Sequence, residues 1–357
     1  MTKQDELQKQ MVKTTIEFYK TKNRGYLNLA MRFGKCKTTI EVLNKLCKKG
    51  EVLIAYPDNK LRQTWIDECE IWGYFNNNIT HVNFSSLKKH TEVEYDFFII
   101  DEFHSASENE RDLCFQIMNN SKKTLCLSGT VSDETKLDWG MEEIAKYTTL
   151  QGIEDGILAD YTITVHLVEL DNVVKTMDNK GKVKTEKQRY DGYTWVIENL
   201  KRQGANFMHL ALARNRLSLC SLGKVKHLKK LLAQLKDNRV VVFTGLANVA
   251  DSIGIPSYHS KSKSNDAFVG FQKGEYNHLA LAAMGKVGVT YKDLDSVILL
   301  NFTYNAEETS QILNRAIKLD YKNKIADLHV ICLNEPAELK KIKESLSMLD
   351  TTKIKYV

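Results

Sequence analysis

The segment RFGKCKT, residues 32–38, contains residue types that bind polyphosphates, at a spacing suited to that chemistry. It follows a short apolar run and precedes a helical pattern, so free backbone N–H groups and a helix dipole are expected at the junction. Lys37 is predicted to neutralise the β- and γ-phosphates of a nucleotide, and the Thr38 hydroxyl to bind Mg²⁺. The other loop residues predicted to contact the nucleotide are Gly34, Lys35 and Cys36.

The match of this segment to the full phosphate-binding pattern G-x-x-x-x-G-K-[ST] is partial. Met31 and Cys36 stand where the pattern has glycine. Taken alone, the segment is equally well explained as a chance Lys-Thr pair at the start of a helix. The Cβ atom of Cys36 is also expected to narrow the loop, which bears on nucleotide affinity.

A second segment, DFFIIDEFH, ends an apolar strand pattern with two adjacent carboxylates, Asp101 and Glu102. Phosphoryl transfer requires such a pair at one edge of a sheet. Asp101 is predicted to hold Mg²⁺ through its water shell, and Glu102 to orient and activate the attacking water. The alternative is an acidic helix cap after a strand, which commonly uses one carboxylate and less often two that follow a phosphate-binding loop.

Short β-rich apolar runs alternate with helical patterns along the chain, which indicates parallel sheets with helices on both faces. The alternation is interrupted once, by a polar stretch after Tyr161, and it resumes near Lys224. We therefore predict two α/β domains, residues 1–160 and 161–357. A basic stretch near residues 171–190 is predicted to be either a β-hairpin or a mobile loop.

The composition excludes several classes of protein. The chain has 357 residues, 43% of them hydrophobic and 27% charged, with 3 Pro, which is typical of a folded chain of about two domains. Seven cysteines without a C-x-x-C pair indicate buried reduced thiols, and hence a cytoplasmic protein. No apolar signal core or membrane span is present in the sequence. The net charge of +6 is compatible with a polyanionic partner and with a solvated Lys-rich surface.

Together these segments resemble the superfamily 2 helicases and translocases of the DExH kind. RFGKCKT is similar to motif I, YPDNKL to motif Ia, DEFH to motif II, LSGT to motif III and QILNRAIK to motif VI. FTG and MGKVGVT are more loosely similar to motifs IV and V. The order and spacing match over nearly the whole chain. The compact size and the turn GILADY most resemble phage-encoded DNA helicases and the motor modules of restriction enzymes.

This resemblance implies two tandem RecA-like domains with ATP in the cleft between them. In the family pattern Q-x-x-G-R-x-x-R, arginines of the second domain stabilise charge on the γ-phosphate. Gln311 and Arg315 match that pattern, while Asn314 and Lys318 replace its glycine and last arginine. Lys318 keeps the charge without the bidentate geometry of arginine, so slower catalysis or a role for Arg315 alone is expected.

The resemblance also implies roles for residues outside the catalytic motifs. The nucleic-acid contacts that it implies are Asn59, Lys60 and Arg62 in the first domain, with Thr244 and Gly245 in the second. Each of these is equally well read as a solvated surface residue. Ser128 and Thr130 are the implied link between the state of ATP and the nucleic-acid track, with an ST-turn as the alternative.

Three further residues are implied to serve the nucleotide. His104 matches the residue that links the carboxylates to the second domain in the family. Gln8, on the first predicted helix, is the best match to an adenine-reading glutamine, with Gln10 as the alternative. Gly288, in the segment similar to motif V, is predicted to lie at the nucleotide.

We therefore expect an ATP-dependent DNA helicase or translocase, a nucleic-acid-stimulated ATPase that uses Mg-ATP and acts on single-stranded or branched DNA. One alternative is a nucleic-acid-binding module with a decayed ATPase. Another is an RNA helicase, or a motor subunit of a larger restriction-like assembly. No membrane partner is expected.

Overall fold

The structure, a computed structural model, describes residues 2–177, 181–282, 291, 294–302, 306–313 and 325–357, without the side chains of Lys60, Glu307, Glu308 and Gln311. The predictions for Gly288, Arg315 and Lys318 lie outside the described residues, as does the one for the Gln311 side chain. The described residues form two compact units that divide between Ala159 and Asp160; we call them unit 1 and unit 2.

Unit 1 is an α/β unit built on a six-stranded sheet with the strand order β3-β2-β4-β5-β1-β6. Every ladder in this sheet is parallel. Its elements are α1 (Lys3–Phe18), β1 (Arg24–Leu29), α2 (Lys35–Leu46), β2 (Val52–Tyr56), α3 (Lys60–Ile71), β3 (Ile79–Asn83), β4 (Phe97–Asp101), α4 (Glu108–Asn119), β5 (Thr124–Ser128), α5 (Asp133–Trp139), β6 (Glu142–Tyr147) and α6 (Thr149–Glu154).

The sequence explains why the central strands of unit 1 are parallel. Every residue of β2, β4 and β5 is buried, and so is every residue of β1 after Arg24. Such continuous apolar runs fit strands that are covered on both faces, as parallel strands are. Because the strands run in one direction, the turns that follow β1, β4 and β5 lie at the same edge of the sheet.

Unit 2 is built on a seven-stranded sheet with the strand order β11-β12-β10-β13-β14-β7-β15, again with parallel ladders. Its elements are β7 (Tyr161–Val168), β8 (Lys175–Met177), β9 (Val183–Thr185), α7 (Glu186–Arg202), α8 (Met208–Leu219), α9 (Leu222–Gln234), β10 (Val240–Thr244), α10 (Ala247–Ser252), β11 (Ser257–His259), α11 (Asp266–Lys273), β12 (His278–Ala282), β13 (Ser296–Leu299), α12 (Ala306–Leu313), β14 (Ala326–Leu333), α13 (Pro336–Ser345) and β15 (Ile354–Tyr356).

The basic stretch of unit 2 contains two antiparallel strands, β8 and β9. Some of the basic side chains at this stretch make contacts within unit 2. The Arg189 guanidinium donates to the carbonyl oxygen of Thr176, and the root of the stretch is held by an ion pair between Lys226 and Asp171. Asn179 and Lys180, the predicted centre of the hairpin, lie outside the described residues.

None of the described helices is long and apolar enough to cross a membrane. All seven cysteines are free thiols.

Candidate active site

The candidate site lies in unit 1, at the sheet edge where β1, β4 and β5 end. After β1 the chain turns at Gly34, which adopts the left-handed conformation with φ of 97° and is the N-cap of α2. No side chain caps this helix, so its first N–H groups are open to a ligand. A Cβ atom on Gly34 would collide with the amide nitrogen of Gln8. Glycine is therefore favoured at this position by its conformation, and an added Cβ would also displace the Gln8 amide from its hydrogen bond to Phe33.

Backbone strain is concentrated at this same edge. Among the described residues, the non-glycine residues with positive φ are Arg32, at 67°, and Glu102, at 51°. Arg32 belongs to the turn after β1, and Glu102 to the turn after β4. Residues in the left-handed region cost free energy and often lie at functional sites. The strain thus coincides with the two segments that the sequence singled out.

Lys35, the first residue of α2, is the lysine that meets the carboxylates. Its ammonium group forms an ion pair with the carboxylate of Glu102, and the two side chains are only 13% and 17% exposed. Burial alone would lower the pKa of Lys35, but the charges of Glu102 and Asp101 outweigh it, and the pKa is raised. Lys35 therefore stays charged in a position suited to a phosphate.

Lys37, the predicted phosphate-binding lysine, lies elsewhere. Its Nζ atom is 2.7 Å from Oδ1 of Asp5 and 4.4 Å from the centroid of the Trp72 ring. The hydrogen bond from Lys37 is the main reason why the pKa of Asp5 is held far below its ordinary value. Residues two apart on a helix point about 200° away from each other, so Lys35 and Lys37 cannot serve the same side of α2. The structure brings Lys35, in place of Lys37, to the carboxylates.

The predicted magnesium ligand of the loop is Thr38, the fourth residue of α2. Thr38 is fully buried, and its hydroxyl has no hydrogen-bond partner among the described residues. The residue that follows Lys35 is Cys36. Burial raises the pKa of its thiol, and the nearby charge of Asp101 raises it further. Gly34, Lys35 and Cys36 thus stand where the pattern G-x-x-x-x-G-K-[ST] has its second glycine, lysine and hydroxyl residue. The adjacent Gly-Lys pair was a signal for this register in the sequence.

Asp101, the last residue of β4, is 5% exposed. Its Oδ2 atom accepts a hydrogen bond of 3.0 Å from Nε1 of Trp65, while Oδ1 has no partner among the residues described. Burial raises the pKa of Asp101; the charge of Lys35 opposes this and that of Glu102 adds to it. A buried carboxylate with an unsatisfied oxygen fits a divalent cation and its water shell. The donor set is thus compatible with Mg²⁺ at Asp101.

The turns after β4 and β5 are joined through His104. Its Nδ1 atom is 2.8 Å from Oγ of Ser128 and 3.6 Å from Oε2 of Glu102. The Ser128 hydroxyl donates to the carbonyl oxygen of Thr130 (2.6 Å) and accepts from its N–H group (3.0 Å), which forms the ST-turn that stood as the alternative to the coupling role. A Cβ on Gly129 would lie 3.2 Å from the carbonyl oxygen of Leu29. The turn after β5 therefore packs on the end of β1.

Two glutamines of α1 hold the backbone of the turn after β1. Nε2 of Gln8 donates to the carbonyl oxygen of Phe33, while Gln4 donates to those of Phe33 and Arg32. Gln8 is 3% exposed, and its Oε1 atom has no partner among the described residues. Gln10, the alternative, is exposed. The sequence analysis missed Gln4, since one more polar residue on an amphipathic helix gives no signal.

The predicted nucleic-acid contacts of unit 1 lie at the same sheet edge, beyond β2. Arg62 is exposed on the first turn of α3. Oδ1 of Asn59, the residue before the helix, accepts a hydrogen bond of 3.2 Å from Nδ2 of Asn83 at the end of β3. Lys60 begins α3. An exposed guanidinium and neighbouring amides are groups that bind backbone phosphates.

In unit 2, the predicted contacts Thr244 and Gly245 follow β10. The Thr244 side chain is buried, and its hydroxyl donates to the carbonyl oxygens of Leu246 and Leu281. Gly245 is exposed, but its N–H group donates to Oδ1 of Asn301 at 2.9 Å. Both residues thus shape the turn through internal hydrogen bonds.

Among solved structures, the chain is similar to the ATP-dependent Type ISP restriction-modification enzyme LlaBIII bound to DNA, with a TM-score of 0.63 and 13% sequence identity. The likeness covers 98% of this chain and 31% of that one, so the chain spans about a third of the enzyme's length. It is also similar to the Sulfolobus solfataricus SWI2/SNF2 ATPase core in complex with dsDNA, with a TM-score of 0.39 and 14% identity over 95% of this chain and 89% of that one. No protein-family model and no curated protein sequence matches the chain.

The chain therefore shares its fold with the corresponding part of that restriction-modification enzyme. The predicted class, two tandem RecA-like domains with mainly parallel sheets and helices around them, is confirmed.

Proposed function

We propose that the protein is an ATP-dependent motor acting on DNA, a nucleic-acid-stimulated ATPase of the helicase or translocase kind. The observation that supports this most directly is the ion pair between Lys35 and Glu102, beside the buried carboxylate of Asp101. A charged lysine at an uncapped helix N-terminus and two adjacent carboxylates are the groups that phosphoryl transfer uses.

Each group has a role in this proposal. Lys35 leaves Glu102 to neutralise the β- and γ-phosphates of ATP, while the first N–H groups of α2 hold the phosphate oxygens. Released from the ion pair, Glu102 accepts a hydrogen bond from the attacking water and orients it. Asp101 would hold Mg²⁺ through its water shell, and the bound ion would neutralise charge on the phosphates. Cys36 directly follows Lys35 on α2.

The remaining assignments rest on the resemblance. The sequence Asp101–His104 supports the DExH kind, and the hydrogen bond between His104 and Ser128 supports a link between motifs II and III. Gln8 as the adenine reader, with Arg315 and Lys318 as the cations that complete the site, stay predictions. So do Gln311 and Gly288, and the phage-like origin.

DNA as the partner is supported by three observations. The net charge is +6, and Arg62 is exposed beside Asn59 at the sheet edge. The enzyme LlaBIII, which shares the fold, is ATP-dependent and was solved bound to DNA. Because this chain spans about a third of that enzyme, restriction and modification are not part of the proposal.

The test is release of inorganic phosphate from Mg-ATP by the purified protein, alone and with single-stranded DNA, forked DNA or RNA. We expect stimulation by DNA, loss of turnover in Glu102→Gln, and unchanged turnover in Glu108→Gln, which removes an exposed carboxylate from α4. DNA binding without hydrolysis in the wild type would contradict the proposal and favour a decayed ATPase. Stimulation by RNA alone would contradict DNA as the partner.

A further inference from the structure

The side chain that follows the phosphate-binding lysine is a thiol in this protein. Cys36 is the second residue of α2, directly after Lys35. In the pattern G-x-x-x-x-G-K-[ST] this position supplies the hydroxyl oxygen that binds Mg²⁺. Among the charged groups that act on Cys36, Asp101 is the strongest, followed by Glu68 of α3 and then by Lys35 and Glu102. The thiol therefore lies among the groups of the candidate site.

A second, independent observation points to a cation at Asp101. Asp101 is only 5% exposed, and its Oδ1 atom has no hydrogen-bond partner among the described residues. A buried carboxylate oxygen in that state is unfavourable unless a ligand or water satisfies it. Thr38 offers no replacement for the missing hydroxyl, because it lies two residues after Cys36 on α2 and points about 200° away from it.

We infer that Cys36 makes the cation site of this protein thiophilic. Compared with a hydroxyl at this position, the thiol should strengthen nucleotide binding in Cd²⁺ or Mn²⁺ relative to nucleotide binding in Mg²⁺. This rests on the proposed function, because it assumes that the nucleotide binds at Lys35. Mg²⁺ is a hard cation that prefers oxygen ligands, whereas sulfur ligands favour softer metals. With cysteine at position 36, Mg²⁺ would still interact with Asp101, but a sulfur atom would replace the oxygen ligand on α2.

The experiment compares equilibrium binding of a fluorescent ADP in Mg²⁺, Mn²⁺ and Cd²⁺ for the wild type, Cys36→Ser and Cys36→Thr. We expect the ratio of the dissociation constant in Mg²⁺ to that in Cd²⁺ to fall on the order of tenfold in both variants. Mn²⁺ should give a smaller change in the same direction. Cys220→Ser, which removes a partly exposed thiol from unit 2, is the matched control and should keep the wild-type ratio.

Two results would overturn the inference, and they are distinguishable. If every protein binds ADP and the ratio is the same with cysteine, serine and threonine at position 36, the thiol does not face the cation, while the proposed function stands. If no protein binds ADP with any cation, the proposed nucleotide site itself fails. Circular dichroism on each variant establishes that the fold is retained before binding is measured.

Discussion

The Nδ1 atom of His104 lies 2.8 Å from Oγ of Ser128, and this hydrogen bond joins the turn after β4 to the turn after β5. The Oε2 atom of Glu102 lies 3.6 Å from the same ring nitrogen. A group that displaces Glu102 therefore changes the surroundings of His104, and through it the turn that contains Thr130. This contact gives the proposed coupling between hydrolysis and DNA a physical route.

Removing the serine hydroxyl should weaken that coupling. We expect Ser128→Ala to lower the ratio of DNA-stimulated to unstimulated ATPase by about tenfold, because both His104 and the N–H group of Thr130 lose a partner. Ser121→Ala is the control; Ser121 precedes β5 at its other end, and its hydroxyl donates only to Ile117 in the structure. An unchanged ratio in Ser128→Ala would show that the contact is structural only.

The buried carboxylate of Asp101 should make the nucleotide-free protein less stable at neutral pH than at acidic pH. Burial raises its pKa from the ordinary value of 3.8 to about 6 in the folded chain. The folded state thus favours the protonated form, so this contribution to stability is complete below pH 4 and is lost as the pH rises through 6. Asp101→Asn keeps an acceptor for Trp65 and removes the charge.

We therefore expect Asp101→Asn to abolish ATPase and to stabilise the protein at pH 7.5 by about 1–3 kcal/mol, with little gain at pH 4. Denaturant unfolding at the two pH values measures this. Asp112→Asn, an exposed position on α4, should change neither property. A lower stability of Asp101→Asn at pH 7.5 would contradict the argument.

Gly34 should tolerate no side chain. Gly34→Ala combines a left-handed φ of 97° with a collision against Gln8, so we expect a loss of about 1–3 kcal/mol in stability and weaker ADP binding. Gly73→Ala is the control for the conformation alone, since φ there is 67° and the nearest atom to an added Cβ is 3.9 Å away. The double variant Gly34→Ala with Gln8→Ala should regain part of the stability, and failure to do so would rule out the collision.

A buried ion pair in unit 2 provides a prediction that is independent of the site. Lys224 and Glu338 pair at 2.7 Å with 1% and 6% of their side chains exposed. Glu338→Gln leaves the lysine charge buried without its carboxylate, so we expect a loss of about 3–5 kcal/mol in stability. The exposed pair of Lys340 and Glu344 lies on the same helix, and Glu344→Gln should cost less than about 1 kcal/mol. Equal effects would contradict the prediction.

The fold was predictable where strands are continuous apolar runs. The strands β1, β2, β4 and β5 are of this kind, and their order in the chain indicated a parallel sheet. The edge strand β6 was missed because its sequence, EEIAKY, is polar and only its last residue is buried. The helix α8 was missed because Met208 and Leu212 are exposed, which leaves the segment without a single apolar face.

Within the candidate site, the sequence located the two segments and predicted Lys37 as the phosphate-binding lysine, whereas the structure brings Lys35 to Glu102. Lys37 and Thr38 match the Lys-[Ser/Thr] pair of the sequence pattern. Because α2 begins at Lys35, it is the Lys35 side chain that contacts Glu102. That start follows the left-handed turn at Gly34, for which the adjacent Gly34-Lys35 pair was the signal in the sequence.

The central claim is that Lys35 is the phosphate-binding lysine, and DNA-stimulated ATPase of Lys35→Ala and Lys37→Ala tests it most directly. We predict a loss on the order of 100-fold or more for Lys35→Ala. Lys37→Ala should retain the larger part of the activity, because it removes only the contacts with Asp5 and Trp72. Full activity of Lys35→Ala together with an inactive Lys37→Ala would contradict the account.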